Sequence, residues 1–408
     1  MAQATDLSPA RIRSGDARII GLISAAHFVS HYYILLLPPL FAFIRADYGV
    51  SYTELGLAIT VFNVVSATFQ TPTGFLIDWI GPRALLIAGL TLGAAAVAAM
   101  GLVPSFWVLV VMMALAGLAN TVYHPADYAI LSHLVSSEQM GHAFSVHTFS
   151  GMLGTALAPA SLLFLQSLVG WRGALVASAT IGFAVAAALA VQSERLFDRV
   201  QPKTRERAAV SGDTPGVGWR LLLSLPILQN LLFFVLLAVT SGGISNYSVV
   251  ALGALYGTPF AVANTTLSAF LLMSAIGVLA GGLLVGRVRH GTVAALGLLA
   301  TALAVLLVAA IDLGTVLLIL TMAAGGLASG IIMPSRDMIV RDVTPPGSFG
   351  KVFGFVTMGF SIGGIVAPPI YGALMDHGHP RAVFVLVGVA GLLAIVTVLT
   401  RARSTDAM

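Results

Sequence analysis

The chain has 408 residues, of which 58% are hydrophobic and only 9% charged, and Lys and Arg outnumber Asp and Glu by 20 to 16. A water-facing surface carries about a quarter of its residues as charges, so a mean hydropathy of +0.97 excludes a soluble globule of this size. Cysteine is absent, which excludes disulfides and thiolate metal sites.

Backbone in lipid must satisfy its own polar groups, so apolar stretches of about 20 residues cross as helices. Twelve stretches fit: 19–44, 53–77, 84–103, 105–131, 142–168 and 173–192, then 225–252, 261–285, 292–311, 314–340, 350–374 and 381–400. The expected layout is a tail (1–18), a six-helix half (19–192), a linker (193–224), a second six-helix half (225–400) and a short tail (401–408). The linker mixes Arg195, Arg199, Lys203, Arg205, Arg207 and Arg220 with acids, prolines and glycines, the composition of a solvated connection. With the N-terminus in the cytoplasm, 16 of the 20 basic residues face it; Arg45, Arg172 and Arg381 lie outside and Arg336 within a span. That bias places both termini in the cytoplasm, with Arg401 and Arg403 as a final anchor. The pI near 9.6 then reports membrane topology rather than a nucleic-acid partner. No signal-peptide core is visible in residues 1–18.

Polar residues inside lipid are costly, so each marks a candidate function. In span 1, His27 and His31 share a face four residues apart. Asn63 and Gln70 mark span 2. The following loop, Gly74-Phe-Leu76-Ile-Asp78-Trp-Ile-Gly81-Pro-Arg83, sets a glycine where helices approach and a carboxylate at a helix end. Asp78 there suits the N-terminus of span 11, where the dipole favours an anion. Asn120, His124 and Asp127 form one stripe on span 4, with His147 early in span 5. Span 5 continues with Gly154-Thr-Ala-Leu-Ala158-Pro159. In span 7, Ser241, Gly242, Gly243, Ser245, Asn246 and Tyr247 predict a discontinuous or polar-faced segment. Span 10 carries Arg336 and Asp337. Phe41, Phe43, Tyr48, Trp79, Trp107 and Trp171 fall near predicted interfaces and are expected to anchor there.

The halves repeat. Pro125, Gly141, Phe144, Gly154, Ala158, Pro159 and Arg172 recur as Pro334, Gly350, Phe353, Gly363, Ala367, Pro368 and Arg381, every pair 209 residues apart. Seven matches at one offset indicate a duplicated six-helix unit. The repeat also makes Asp127 and Arg336 equivalent. An ion pair between them is expected to close the cytoplasmic side, the alternative being that Arg336 pairs locally.

The loop after span 2 resembles the major facilitator signature G-x-L-x-D-R-x-G-R-[KR]: Gly74, Leu76, Asp78, Gly81 and Arg83 match, while Trp79 and Pro82 replace two basic residues. His27-Phe-Val-Ser30-His31, Leu37-Pro38-Pro39-Leu40, Tyr48-Gly49-Val50-Ser51, Glu54-Leu55-Gly56-Leu57 and Tyr123-His124-Pro125 resemble the fosmidomycin-resistance-like branch. That resemblance implies an all-α membrane protein of twelve helices in two pseudo-symmetric halves, exporting small toxic compounds in exchange for protons. It also implies that Asp78 latches the cytoplasmic side shut, with Gly74, Gly81 and Arg83. Gly154 to Pro159 resembles the G-x-x-x-G-P pattern of antiporters. One departure matters: where that branch has His-x-x-Asn-Asp in helix 1, this chain has Ser30 and His31.

The expected function is a secondary active transporter of the inner (plasma) membrane, moving a small organic compound by alternating access with proton-coupled export. The proton-coupling candidates are His31, His27, His124 and Asp127. Candidates for binding substrate are His27, His31, Asn63, Asn120, His124, His147, Asn246, Tyr247 and Arg336. Gating falls to Gly74, Asp78, Gly81, Arg83, Asp127 and Arg336. Structural hydrogen bonding and metal transport are the other readings of the histidines, but their spacing matches no tight tetrahedral motif, so no resident metal is expected. No phosphate-binding GxxxxGK[ST] loop, paired carboxylate or HExxH is present, so neither enzymatic activity nor a cofactor is expected. The partners are a small-molecule substrate, protons and the bilayer, with no nucleic acid, for a monomer. Uptake of a small organic anion and a non-transporting sensor are the alternatives.

Overall fold

The computed structural model describes residues 14–136, 139–197, 219–285, 287–345 and 348–405. Residues 1–13 and the centre of the linker, with Arg199, Lys203, Arg205 and Arg207, lie outside the described residues, as do the side chains of Arg195, Arg401 and Arg403. The helices are α1 (Ser14–Ile34), α2 (Phe41–Tyr48), α3 (Tyr52–Ile80), α4 (Pro82–Leu102), α5 (Phe106–Leu134), α6 (Met140–Phe197) and α7 (Trp219–Leu222). They continue with α8 (Leu225–Tyr256), α9 (Phe260–Leu284), α10 (His290–Ala310), α11 (Gly314–Asp342), α12 (Phe349–Asp376) and α13 (Pro380–Thr405).

Ten of these helices have the length and apolarity to cross a bilayer. The first predicted span is not one continuous helix. Pro38 and Pro39 withhold two backbone donors, so α1 ends early, a short 3-10 turn intervenes, and the α1–α2 pair bends by 41°. Helix α6, at about 1.5 Å per residue, is far longer than a ~30 Å hydrocarbon core. Gly170, at φ 73° and ψ 168°, breaks it into two legs. Counting the bent pair once and α6 twice gives twelve crossings among the described residues, so the chain enters and leaves at the same end.

The duplication is visible in the packing. Pro125 and Pro334 sit inside α5 and α11, and Pro159 and Pro368 inside α6 and α12. Gly117 and Gly326 add an eighth pair at the same offset. A Cβ on Gly117 would strike the Phe62 carbonyl, and one on Gly326 the Phe270 carbonyl. Each glycine therefore lets the fourth crossing of its half lie directly on the second, the close approach that small residues permit in membranes.

The core reveals which end is open. One hydrophobic cluster runs through the first half and on into Tyr247, Leu252, Leu267, Val305, Tyr371 and Phe384, all at the end opposite the termini. At the terminus-bearing end of the second half, Phe233, Phe234, Leu298, Ile339, Val340 and Val356 form a separate core. The halves thus share one interior at the far end and part at the other. A cleft of about 470 Å³ lies in the gap, between Phe144, Thr148 and Met152 of α6 and Ala275 and Leu279 of α9.

Two expectations about elements change. Helix α8 is continuous through Ser241–Tyr247, which removes the discontinuous form of that expectation and leaves the polar-faced one; a Cβ on Gly243 would strike Tyr371 and Val387. Trp79 and Trp107 are exposed at 80% and 72%, as membrane anchors would be, but Phe41 and Trp171 are buried. Phe41 packs on Tyr247, and Trp171 on Tyr48 at the corner beside Gly170.

Candidate functional site

Three helices of the first half converge on one fully buried carboxylate. The Pro125 turn of α5 carries Asp127 into the packed interior. There it lies 3.0 Å from His147 Nε2 of α6 and 3.6 Å from His27 Nδ1 of α1. The His27 and His147 rings stack with centroids 3.8 Å apart. His31 lies 4.5 Å from His27, and His124 lies 5.0 Å from His27 and 6.0 Å from His31. Thr155 Oγ1 is 3.2 Å from His31 Nδ1. Exposure grades across the group: Asp127, His27 and His147 are buried, His31 is half-buried and His124 exposed.

Glycine makes the cluster possible. A Cβ at Gly151 would fall 2.5 Å from His27 Nε2, and one at Gly154 would meet the Phe28 carbonyl. The small-residue run of span 5 thus brings α6 against α1 and stacks the two imidazoles. Burying a carboxylate without a cation beside it is costly. Its lone pairs and the imidazole nitrogens therefore form a compartment in which a proton has several alternative homes.

Other predicted residues go elsewhere. Asn120 donates to Ser66 Oγ at 3.2 Å, facing α3 rather than the histidines. Asn63 donates to the Gly364 carbonyl at 2.9 Å, and Thr60 to that of Ile365 at 2.9 Å. Both are contacts between the halves. Tyr247, fully buried, donates to the Pro368 carbonyl at 2.7 Å and approaches the Tyr52 carbonyl at 3.3 Å. Asn63 and Tyr247 are therefore seam residues. Asn246 and Gln70 have no hydrogen bond to the described residues.

Arg336 does not meet Asp127 in this state. Its Nε donates to Asp337 Oδ1 at 2.8 Å and its Nη1 to Met333 Sδ at 3.2 Å. The guanidinium lies over Phe234 and Phe360, at 5.1 and 5.2 Å from the ring centroids. It borders a cavity of about 70 Å³ lined by Leu237, Ser241, Ile244, Phe270 and Met333. The expected alternative, local pairing of Arg336, is the arrangement present. Asp78 is likewise exposed and unbonded to the described residues. Gly74 has open space around it, Gly81 adopts φ 101° at the α3–α4 turn, and Arg83 is half-buried.

The opposite end holds a contact that the sequence did not suggest. Asp376, closing α12, accepts the N–H groups of Tyr52 and Thr53 at 2.8 Å each and the Thr53 hydroxyl at 2.6 Å. It caps the N-terminus of α3 from the other half. Within α3, Ser51 and Glu54 close a capping box: the Ser51 N–H donates to Glu54 Oε2 at 2.7 Å and the Glu54 N–H to Ser51 Oγ at 3.1 Å. The only available signal was an acidic residue before Gly378, and nothing in the sequence paired it with a helix 324 residues away.

A family model described as Major Facilitator Superfamily matches residues 23–260 and 231–407. The chain belongs to that superfamily. Its members are transporters, so the chain is a multi-pass membrane protein of the transporter class. It is 22% identical to the fosmidomycin resistance protein of Escherichia coli (strain K12), over 93% of this chain and 92% of that one. It is 27% identical to a probable nitrate/nitrite transporter, NarK2, of Mycobacterium tuberculosis, over 84% and 85%. Among solved structures, a bacterial homologue of the human lysosomal transporter Spinster superposes with a TM-score of 0.78 at 14% identity, covering 95% of this chain and 98% of that one. The nucleoside transporter NupG gives 0.73 at 15% identity, covering 95% and 99%. The major facilitator fold expected from the sequence is therefore present, and the named cargoes of these relatives are diverse.

Proposed function

We propose that this superfamily member is a secondary active transporter that exports a small organic compound from the cytoplasm in exchange for protons. The observation that carries this reading is the graded cluster in the first half, from exposed His124 through His31 to buried His27, His147 and Asp127. Ionisable groups at membrane depth are retained for ion or proton traffic, and imidazole exchanges protons near neutral pH. His31 supplies the titratable group of helix 1 in place of the branch's carboxylate. The terminus-bearing end faces the cytoplasm of the inner membrane, as the lysine and arginine bias implies, so the present state is open inward. Asp78, with Gly74, Gly81 and Arg83, closes that end in the alternate state, and Asp127 and Arg336 approach each other there. The protein acts as a monomer, with residues 193–224 linking its halves.

Arg336 favours a second reading, proton-linked uptake of a small organic anion, because its guanidinium borders an apolar cavity of the second half. One experiment separates the two. Proteoliposomes holding a pH dye receive a panel of drugs and organic acids outside. Alkalinisation inside on substrate entry supports exchange, and acidification supports uptake with protons. Binding without proton movement would overturn both in favour of a sensor.

A further inference from the structure

The donor geometry of the buried cluster carries a second activity. One ring nitrogen each of His27 and His147 and an Asp127 carboxylate oxygen lie within 4.8 Å of one another, on three buried side chains from three helices. Two of the edges are 3.0 and 3.6 Å. Metal bonds of ~2.0–2.2 Å at tetrahedral angles require donor separations of about 3.3–3.6 Å, so small side-chain shifts would close the shell.

A second observation points to a ligand. Asp127 Oδ1, His27 Nδ1 and His31 Nε2, atoms that an ion in the cluster could take as ligands, are all buried without a hydrogen-bond partner. Native interiors rarely leave such groups unpaired, and an ion is one of the few ways to satisfy several at once. His31 and His124 stand beside the three donors to supply a fourth ligand. Imidazole with one carboxylate and no thiolate suits zinc, cobalt or nickel far better than magnesium or calcium. Sequence spacing hid this set, because α1, α5 and α6 each contribute one ligand.

We propose that His27, Asp127 and His147 bind one divalent transition cation of the zinc, cobalt and nickel class, and that the bound cation stops proton movement through the cluster. The first half of this proposal stands on the donor geometry alone; the second rests on the proton-coupled reading above.

The test uses full-length protein in nanodiscs, purified without a polyhistidine tag and titrated with Co²⁺. The expected result is one Co²⁺ per chain with the intense visible absorption of tetrahedral coordination. His27→Gln and His147→Gln should each weaken binding by more than the ~10–100-fold typical of losing an outer-shell partner. His133→Gln and His142→Gln, at exposed positions, should change nothing. Melting curves and size-exclusion profiles identify any variant that fails to fold, and for such a variant His27→Ala or His147→Asn is substituted. No stoichiometric Co²⁺ on folded wild type, or equal binding by the folded variants, overturns the site. In proteoliposomes, substrate-driven proton flux that persists in EDTA and stops with Zn²⁺ supports the block. Flux that continues with Zn²⁺ bound overturns the block but keeps the site. Co²⁺ binding with no flux even in EDTA overturns the proton-coupled reading, and with it the block, while leaving the site standing.

Discussion

Asp127 is the residue on which the first half turns. It is fully buried, it touches two imidazoles, and no Lys or Arg pairs with it among the described residues. Asn in its place keeps the shape and a hydrogen bond to His147 but removes proton exchange. Asp127→Asn should lower substrate-driven proton flux by about 100-fold, the lower range of what a positioned proton-transfer group contributes. Substrate counterflow, which needs no net proton transfer, should survive. Loss of counterflow as well would make Asp127 a structural or substrate-binding group instead. His31→Gln should flatten the dependence of transport on pH while leaving the fold intact, and unchanged pH dependence would rule His31 out.

At the scale of elements, the decisive contact is the cap that α12 places on α3. Asp376 satisfies two donors at the start of α3 and sits where the helix dipole attracts a negative charge. The expected latch at Asp78 is the same physics, a carboxylate on the N-terminus of a helix from the other half, at the opposite end of the molecule. Losing a cap of this type costs ~0.5–2 kcal/mol, and about 1.4 kcal/mol is tenfold in an equilibrium. Asp376→Ala should therefore move the balance of states several-fold away from the one seen here. Distance measurements between spin labels on α6 and α9 across the cleft would show it as a shortened population. An unchanged distribution would mean that Tyr247, Thr60 and Asn63 hold the seam without it.

For the whole molecule, the proposed alternating access predicts rocking of two rigid halves about the end where they share a core. The absence of cysteine makes the native chain a ready background for cross-linking. Thr53→Cys with Asp376→Cys, whose side chains touch, should oxidise readily, halt transport and recover on reduction. Thr148→Cys with Leu279→Cys, on opposite walls of the cleft, should oxidise slowly and faster with substrate, as the cleft closes. Fast cross-linking of both pairs with transport intact would rule out rigid rocking.

Composition, span length and a repeat of 209 residues were sufficient for the membrane class, the twelve crossings and the two halves. Those features arise from local solvation of the backbone and from a duplication that is itself written along the chain. The motif at Gly74–Arg83 and the polar stripe of span 4 were legible for the same reason, since residues within a few turns of one helix have a set relation. Sequence also singled out His27 and His31 as one face of span 1, His124 and Asp127 as part of one stripe on span 4, and His147 early in span 5, but not their meeting across three helices. That they meet, with Asp127 innermost, was decided by Gly151 and Gly154 letting α6 close on α1. Asn63 and Tyr247 moved from the substrate list to the seam, Arg336 turned to Asp337, and Asp376 emerged as a cap. Each of these depends on how two halves lean against each other, a relation between residues up to 324 positions apart. Helical periodicity carries no information over such a distance, so the lean of one half on the other had to come from the packing itself.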